Sequence, residues 1–153
     1  MKISIAGMVT QVVILFLGTV ILPIYYMSII QYYKDVNRIM VAERNLIDYV
    51  IDNKQVADSA LSEFNITTAA VSTSVDVTIT RETRIIDPSD DSPSKVDVKW
   101  VAVDWDKDTV WLQGDLITVN VKQDSSNIMQ QISGIFLGSM YSNLDMPMTG
   151  MVR

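Results

Sequence analysis

The stretch ISIAGMVTQVVILFLGTVILPIYYMSIIQYY, residues 3–33, runs for 31 positions without an Asp, Glu, Lys or Arg. An α-helix rises about 1.5 Å per residue, so about 20 residues are enough to cross a hydrocarbon layer of about 30 Å. A cleaved export signal has a shorter apolar region, about 7–15 residues, followed by small residues. Pro23, Tyr25 and Tyr26 stand where those small residues would be needed. We therefore predict a retained membrane helix; a cleaved export signal and a buried core helix are the alternatives.

The helical pattern continues beyond this stretch. Apolar residues recur at three- and four-residue steps, at Val36, Ile39, Met40, Leu46, Ile47, Val50 and Ile51, with Asp35, Arg38, Glu43, Arg44 and Asp48 between them. The pattern predicts one helix from about residue 4 to residue 51, apolar in its first half and amphipathic in its second. Asp52 and Asn53 are expected to end it. A short second helix over residues 54–64, capped by Asn53, is predicted to follow.

Five residues of the apolar stretch are candidate contacts for helix packing and assembly. Gly7 and Gly18 are small enough to let a second helix approach closely. Pro23 removes a backbone hydrogen bond and is expected to kink or loosen the helix. Tyr25 and Tyr26 belong to a tyrosine cluster typical of the membrane surface. Ordinary membrane-helix composition explains the glycines and Pro23 and is the interpretation we prefer for them; a helix that packs against copies of itself is the alternative.

From residue 67 the hydrophobic period changes to two. Val71, Val75, Val77 and Ile79 alternate with polar residues and predict a strand that continues to residue 86. The Pro- and Ser-rich residues 87–95 are a predicted loop. Residues 96–105 and 110–122 are predicted strands joined as a hairpin through residues 106–109. A short C-terminal helix after Asp124 and an irregular tail complete the chain.

The predicted fold class is therefore α+β, with a long N-terminal helix, a small antiparallel sheet and a short C-terminal helix. Three regions follow from these patterns. Residues 1–33 form a transmembrane segment, and residues 34–66 form the amphipathic extension with the second helix. Residues 67–153 form the β domain with its C-terminal helix and tail.

Charge and composition exclude several classes of function. The chain has net charge −6, and Lys2 is the only charged side chain before residue 34, so the remaining residues carry −7. This acidic balance, without a basic cluster, argues against a nucleic-acid partner. The absence of Cys and His from the sequence removes thiol nucleophiles, Cys/His zinc sites and histidine bases. No catalytic motif remains, so we expect neither an enzyme, nor a cofactor, nor a small-molecule substrate.

One acidic pattern suggests a cation. Asp104, Asp106 and Asp108, here called the acidic tip, and Asp115 occupy positions 1, 3, 5 and 12 of an EF-hand loop. Thr109 stands where the EF-hand has glycine. Solvated carboxylates at a hairpin turn explain the same residues, and this is the interpretation we prefer. Calcium or a protein partner at the acidic tip is the alternative.

The order of elements resembles that of type IV pilins, pseudopilins and the TadE-like proteins. In these families the apolar half of the first helix anchors the subunit and later packs inside a filament, with the remaining domain outside the membrane. The pilin processing site has a glutamate five residues after its glycine. Here Val12 stands five residues after Gly7, and Gln11 is the nearest polar residue. The resemblance is therefore one of architecture over about residues 1–122.

The resemblance implies a structural subunit of a pilin-like filament or of a secretion or conjugation apparatus. Its expected partners are the membrane, copies of itself and pilin-like subunits. A single-pass anchor with an extracytoplasmic C-terminal domain, in some cases on a cell-surface filament, is the implied location. Lys34, Arg38 and Arg44 follow the anchor and favour the opposite orientation by the positive-inside rule. A tethered extracytoplasmic binding module is the alternative function.

Overall fold

The computed structural model describes residues 5–71, 74–86, 98–123 and 144–153. Within these residues a long N-terminal helix is followed by a short helix and a four-stranded antiparallel sheet. The predicted α+β class is confirmed. The predicted C-terminal helix after Asp124 and the predicted loop at 87–95 lie outside the described residues.

The N-terminal helix consists of α1 (Ile5–Phe16), a π-helical turn (Leu17–Ile21) and α2 (Leu22–Asn53). It is 49 residues long in total. Lys54 ends it by adopting a left-handed conformation, with φ of 56°, and donating its N–H to the carbonyl of Val50. The predicted single helix is therefore present and ends two residues beyond residue 51.

The second helix, α3 (Asp58–Ala69), lies further along the chain than predicted. Asn53 does not cap it, because the Asn53 side chain donates to the Tyr49 carbonyl within α2. Thr67 and Thr68, expected in the first strand, belong to α3. Their hydroxyls donate to backbone carbonyls one turn earlier in the helix. The first strand consequently begins at Val75.

The sheet contains β1 (Val75–Ile86), β2 (Val98–Val103), β3 (Leu116–Gln123) and β4 (Asp145–Met151). Their spatial order is β2-β1-β3-β4, and every neighbouring pair is antiparallel. Arg81 of β1 lies opposite Val103 on one side and Ile117 on the other. β1 is therefore the strand that joins the two halves of the sheet.

The predicted hairpin between the second and third strands is wrong, because β1 lies between β2 and β3. Residues 104–115 instead form a loop that crosses β1. The Trp105 ring N–H donates to the Ile79 carbonyl at 3.1 Å, and the Trp111 backbone N–H donates to the Lys54 carbonyl at 2.8 Å. The loop thereby buries Trp111 completely. Gly114, with φ of 94°, makes the turn into β3.

The tail predicted to be irregular is in fact the edge strand β4. Met146 and Met148 lie opposite Val121 and Val119 of β3. Pro147 is compatible with this position, because one side of an edge strand needs no backbone donor. Alternating side chains of β4 are partly buried, so the methionines of the tail contribute to the sheet.

The core lies where α2 packs on β3 and β4 and where α3 packs on α2. Alternate side chains of β3 are fully buried, and those between them are partly exposed. The buried apolar residues are Ile39, Ala42, Leu46, Ile47, Val50, Val56, Phe64, Val71, Trp111, Ile117, Val119, Val121, Leu144 and Val152. The second half of the long helix is thus an integral part of the domain.

Candidate functional site

The first half of the long helix has its apolar side chains exposed in all directions. Its most apolar 18-residue window has a mean hydropathy of 2.4, and none of that window is buried. Exposed apolar residues of this half include Ile5, Met8, Val9, Val12, Val13, Ile14, Leu15, Phe16, Leu17, Val20 and Leu22. A helix that is apolar all round is typical of a membrane span. It is long and apolar enough to serve as a membrane anchor.

The π-helical turn lies directly before Pro23. Proline lacks an N–H, and its ring collides with the carbonyl four residues earlier, here that of Thr19. The wider turn accommodates this, and Leu22 donates its N–H to the Leu17 carbonyl, five residues back. The Thr19 hydroxyl also donates to the Leu15 carbonyl at 2.6 Å. The expected loosening of the helix by Pro23 is therefore present as a single π turn.

The structure distributes the five predicted packing residues over the first 22 positions of the described helix. Gly7 is half-buried in α1 and Gly18 lies in the π turn. A Cβ added at Gly18 would meet nothing within 4 Å, so this position is open to a neighbouring molecule. The rings of Tyr25 and Tyr26 contact each other edge to face, with centroids 6.1 Å apart. Pro23, exposed at the start of α2, separates the glycines from the tyrosines.

Beyond Pro23 the helix has two distinct faces. Tyr26, Ile30, Tyr33 and Met40, here called the outward stripe, are exposed at successive steps of four, three and seven residues. The buried residues Ser28, Asp35 and Ala42 each follow a stripe residue by two positions, which is about 200° around the helix. The outward stripe therefore points away from the domain to which its own helix is attached.

The acidic tip is exposed and belongs to the loop between β2 and β3. Asp106 accepts a hydrogen bond from the Thr109 hydroxyl at 2.6 Å, which closes a tight turn. Lys107 forms an ion pair with Asp58 at the start of α3, and its carbonyl accepts from Gln55. The tip is thus tied to the helical layer by a lysine.

Asp115 is separate from the acidic tip and is almost completely buried. Its carboxylate accepts hydrogen bonds from Arg81 Nε at 2.8 Å, from the Thr83 hydroxyl at 2.6 Å and from the Leu112 N–H at 2.8 Å. Arg81 Nη2 lies 2.6 Å from the same carboxylate. The oxygens of the Asp115 carboxylate use their lone pairs to accept from these donors. Asp115 therefore does not supply the fourth ligand that the alternative interpretation, an EF-hand loop, would need.

The Arg81 guanidinium also lies over the ring of Trp111, 5.6 Å from its centroid. Burial by itself would raise the pKa of the Asp115 carboxyl. The donated hydrogen bonds and the positive charge of Arg81 outweigh burial and lower this pKa below its ordinary value. The cluster stabilises the crossing loop and leaves no free group for chemistry at Asp115.

Glu43 on α2 is a second buried carboxyl, with none of its surface exposed. Within the described part of the chain, neither carboxyl oxygen has a hydrogen-bond partner. Burial raises the pKa of Glu43 to about 7, and the Val121 backbone of β3 acts in the opposite direction. The sequence pattern placed Glu43 among solvated polar residues. The signal that could have found it is its four-residue spacing from Ile39 and from Ile47, which are both buried.

A small cleft lies between α2 and α3, with a volume of about 60 Å³. Leu46 and Phe64 form its apolar wall, and Glu63 lies at its rim. Binding sites for small molecules are usually about 300–1,000 Å³. The cleft has room for a few water molecules and not for a substrate.

No protein-family model, no characterised protein and no solved structure matches this chain.

Proposed function

We propose that this chain is a structural subunit of a pilin-like filament or of a secretion or conjugation apparatus. In this proposal the subunit is anchored by its N-terminal helix, and its domain is extracytoplasmic. The observation that carries the proposal is the single 49-residue helix, exposed and apolar in its first half and fixed to the domain in its second.

The length of the helix exceeds what a membrane tether requires. At about 1.5 Å per residue, 49 residues extend about 73 Å, whereas a span takes about 20 residues. The core contacts of Ile39, Leu46 and Val50 hold the distal part rigidly against the sheet. A force or a contact at the anchor is therefore transmitted directly to the domain, as a filament subunit requires.

The outward stripe supports packing against a second helix. If the membrane span ends near Tyr33, Met40 lies about 10 Å further along the helix, beyond the reach of lipid. Its exposed fraction is 45 %. The stripe follows the 3.5-residue repeat that lets helices interlock, and Asn37 occupies the position between Tyr33 and Met40. Copies inserted in one membrane in the same direction are parallel, so the same stripe is available on each.

Disulfide cross-linking tests the assembly, because the chain contains no cysteine. Met40→Cys places a thiol on the outward stripe. Asn45→Cys is the matched control, since Asn45 is exposed on the same helix about 140° away. After mild oxidation in membranes, we expect disulfide-linked dimers from Met40→Cys and few from Asn45→Cys. Equal cross-linking of both variants, or none of either, would contradict packing through the stripe.

Orientation and filament formation need separate measurements. Asp108→Cys introduces an exposed thiol in the domain, and we expect a membrane-impermeant maleimide to modify it in intact cells. Protection until the cells are lysed would place the domain in the cytoplasm. Fractionation and negative staining of producing cells should show the protein in filaments or in a large envelope complex. A protein found only as a dispersed membrane monomer would refute the assembly proposal.

A further inference from the structure

The buried carboxyl of Glu43 lies at the interface between α2 and the sheet. It is fully buried, its two oxygens have no hydrogen-bond partner among the residues that the structure describes, and the backbone of Val121 on β3 lies beside it. An ionised carboxylate without a partner is among the most costly groups to bury. A protonated carboxyl in the same place costs far less, because it carries no net charge.

The described elements packed around Glu43 offer it no cation. The sheet-side neighbours on β3, at Ile117, Val119 and Val121, are apolar, and the next residue on that face is Gln123. On β4 the partly buried positions are Met146, Met148 and Gly150, which are uncharged, and Asp145 lies on the opposite face. Lys122 of β3 is likewise exposed on the face away from the helices.

The other charged groups near α2 in the described ranges do not compensate Glu43 either. On α3 the charged residue facing α2 is Glu63, at the rim of the cleft. On β1, Arg81 is the cation of the helix-facing side, and it is bound by Asp115. Asp35, two turns earlier on α2, is buried and accepts from Gln31.

We propose that Glu43 is a proton-binding latch between the long helix and the sheet. With a proton bound, the helix packs on β3; release of that proton to water leaves a carboxylate that favours separation of the helix from the sheet. The latch would make the coupling between anchor and domain responsive to pH. The inference concerns the monomer and does not depend on filament assembly.

The unfolding equilibrium of the full chain in detergent micelles tests the latch. With the pKa of Glu43 raised from 4.5 to about 7, the unfolding equilibrium constant of the wild type should rise about 70-fold from pH 5 to pH 8 relative to Glu43→Gln. Glu63→Gln, the same change at an exposed helical site, is the control and should keep the wild-type dependence. A constant ratio between wild type and Glu43→Gln across this range would overturn the proposal.

A direct titration covers the case in which Glu43→Gln does not fold. The chain has three glutamates, Glu43, Glu63 and Glu82, so selective ¹³C labelling of glutamate carboxyls gives three NMR resonances. Loss of one resonance in Glu63→Gln and of another in Glu82→Gln assigns the third to Glu43. We expect that resonance to titrate near pH 7 in the wild type. Titration of Glu43 in the ordinary range of glutamate would refute the latch.

Discussion

Replacing Asp115 by asparagine removes the anion that the buried Arg81 guanidinium binds. The side chains of Arg81 and Asp115 are 10 % and 2 % exposed, so water cannot replace the lost charge. Asparagine keeps the shape of the side chain, but its amide N–H₂ group is itself a donor and cannot accept the hydrogen bonds that one carboxylate oxygen accepted. We expect the crossing loop and the end of the sheet to be destabilised together.

The size of this effect follows from the contacts. Four donated contacts of 2.6–2.8 Å converge on the carboxylate, two of them from Arg81. Hydrogen bonds to charged groups contribute about 1.5–3 kcal/mol each, and losing the two from Arg81 gives about 3–6 kcal/mol. Breaking a buried ion pair by removing one partner costs about 3–5 kcal/mol by comparison with other proteins. We therefore expect Asp115→Asn to cost about 3–5 kcal/mol.

Urea denaturation of the full chain in detergent micelles, followed by tryptophan fluorescence, measures this cost. Trp111 lies against Arg81 and reports on the cluster. The double variant Arg81→Met/Asp115→Asn removes the orphaned charge and keeps the aliphatic bulk. It should recover about 1–3 kcal/mol relative to the sum of the single changes. Additive single changes, or a cost below about 1 kcal/mol for Asp115→Asn, would refute the reasoning.

The ion pair between Arg81 and Asp115 also predicts that the free energy of unfolding depends on pH in the acid range. Because the folded-state pKa of Asp115 is lowered, its contribution to stability is present above the unfolded pKa of about 3.9 and is lost as pH falls through the folded value. The difference in stability between wild type and Asp115→Asn should therefore narrow in strong acid. A difference that stays constant down to pH 2 would show that the charge of Asp115 contributes nothing.

Three further outcomes follow from packing and charge. Gly150→Ala should cost about 1–3 kcal/mol, since the new methyl collides with Ile47 Cγ2, whereas Gly18→Ala, in open space, should leave domain stability unchanged in the same urea assay. Leu46→Ala should cost about 2–5 kcal/mol and Met40→Ala less than about 0.5 kcal/mol; equal costs would contradict the two-faced helix. Calorimetric titration with calcium should give no saturable heat, because Asp115 is bound by other groups; a heat that disappears when the acidic tip is changed to asparagines would contradict this.

The sequence was informative wherever a local pattern decides the structure. The uncharged stretch and the three- and four-residue steps after it predicted one helix close to its observed end at Asn53. The alternation of Val75, Val77 and Ile79 predicted β1. These patterns report hydrophobic periodicity, which depends on neighbours in the same element.

Local hydrophobic periodicity did not predict which strands pair with each other. Residues 96–105 and 110–122 read as a hairpin because they are close in sequence, yet β1 lies between the observed strands β2 and β3. The loop between β2 and β3 contains Trp111, which is fully buried and donates its backbone N–H to the Lys54 carbonyl at the end of α2. These contacts connect residues that are distant in sequence. The tail at β4 likewise became a strand only because β3 offered a free edge.

The candidate functional residues also differ in whether a local pattern in the sequence was enough to identify them. Gly7, Gly18, Pro23, Tyr25 and Tyr26 were identified from the sequence, because membrane helices have a composition that is visible without a fold. Their packing in an assembly is still a prediction.

The sequence by itself therefore determined the long helix, its apolar first half and the acidic, Cys- and His-free domain attached to it. Only the tertiary structure decided that Asp115 pairs with Arg81 rather than with the acidic tip, and that Glu43 is buried without a hydrogen-bond partner among the described residues. The physical reason is that the environment of a charged side chain is set by residues distant in sequence. A carboxylate on a helix or a loop has the same local pattern whether it faces water, a guanidinium or an apolar sheet.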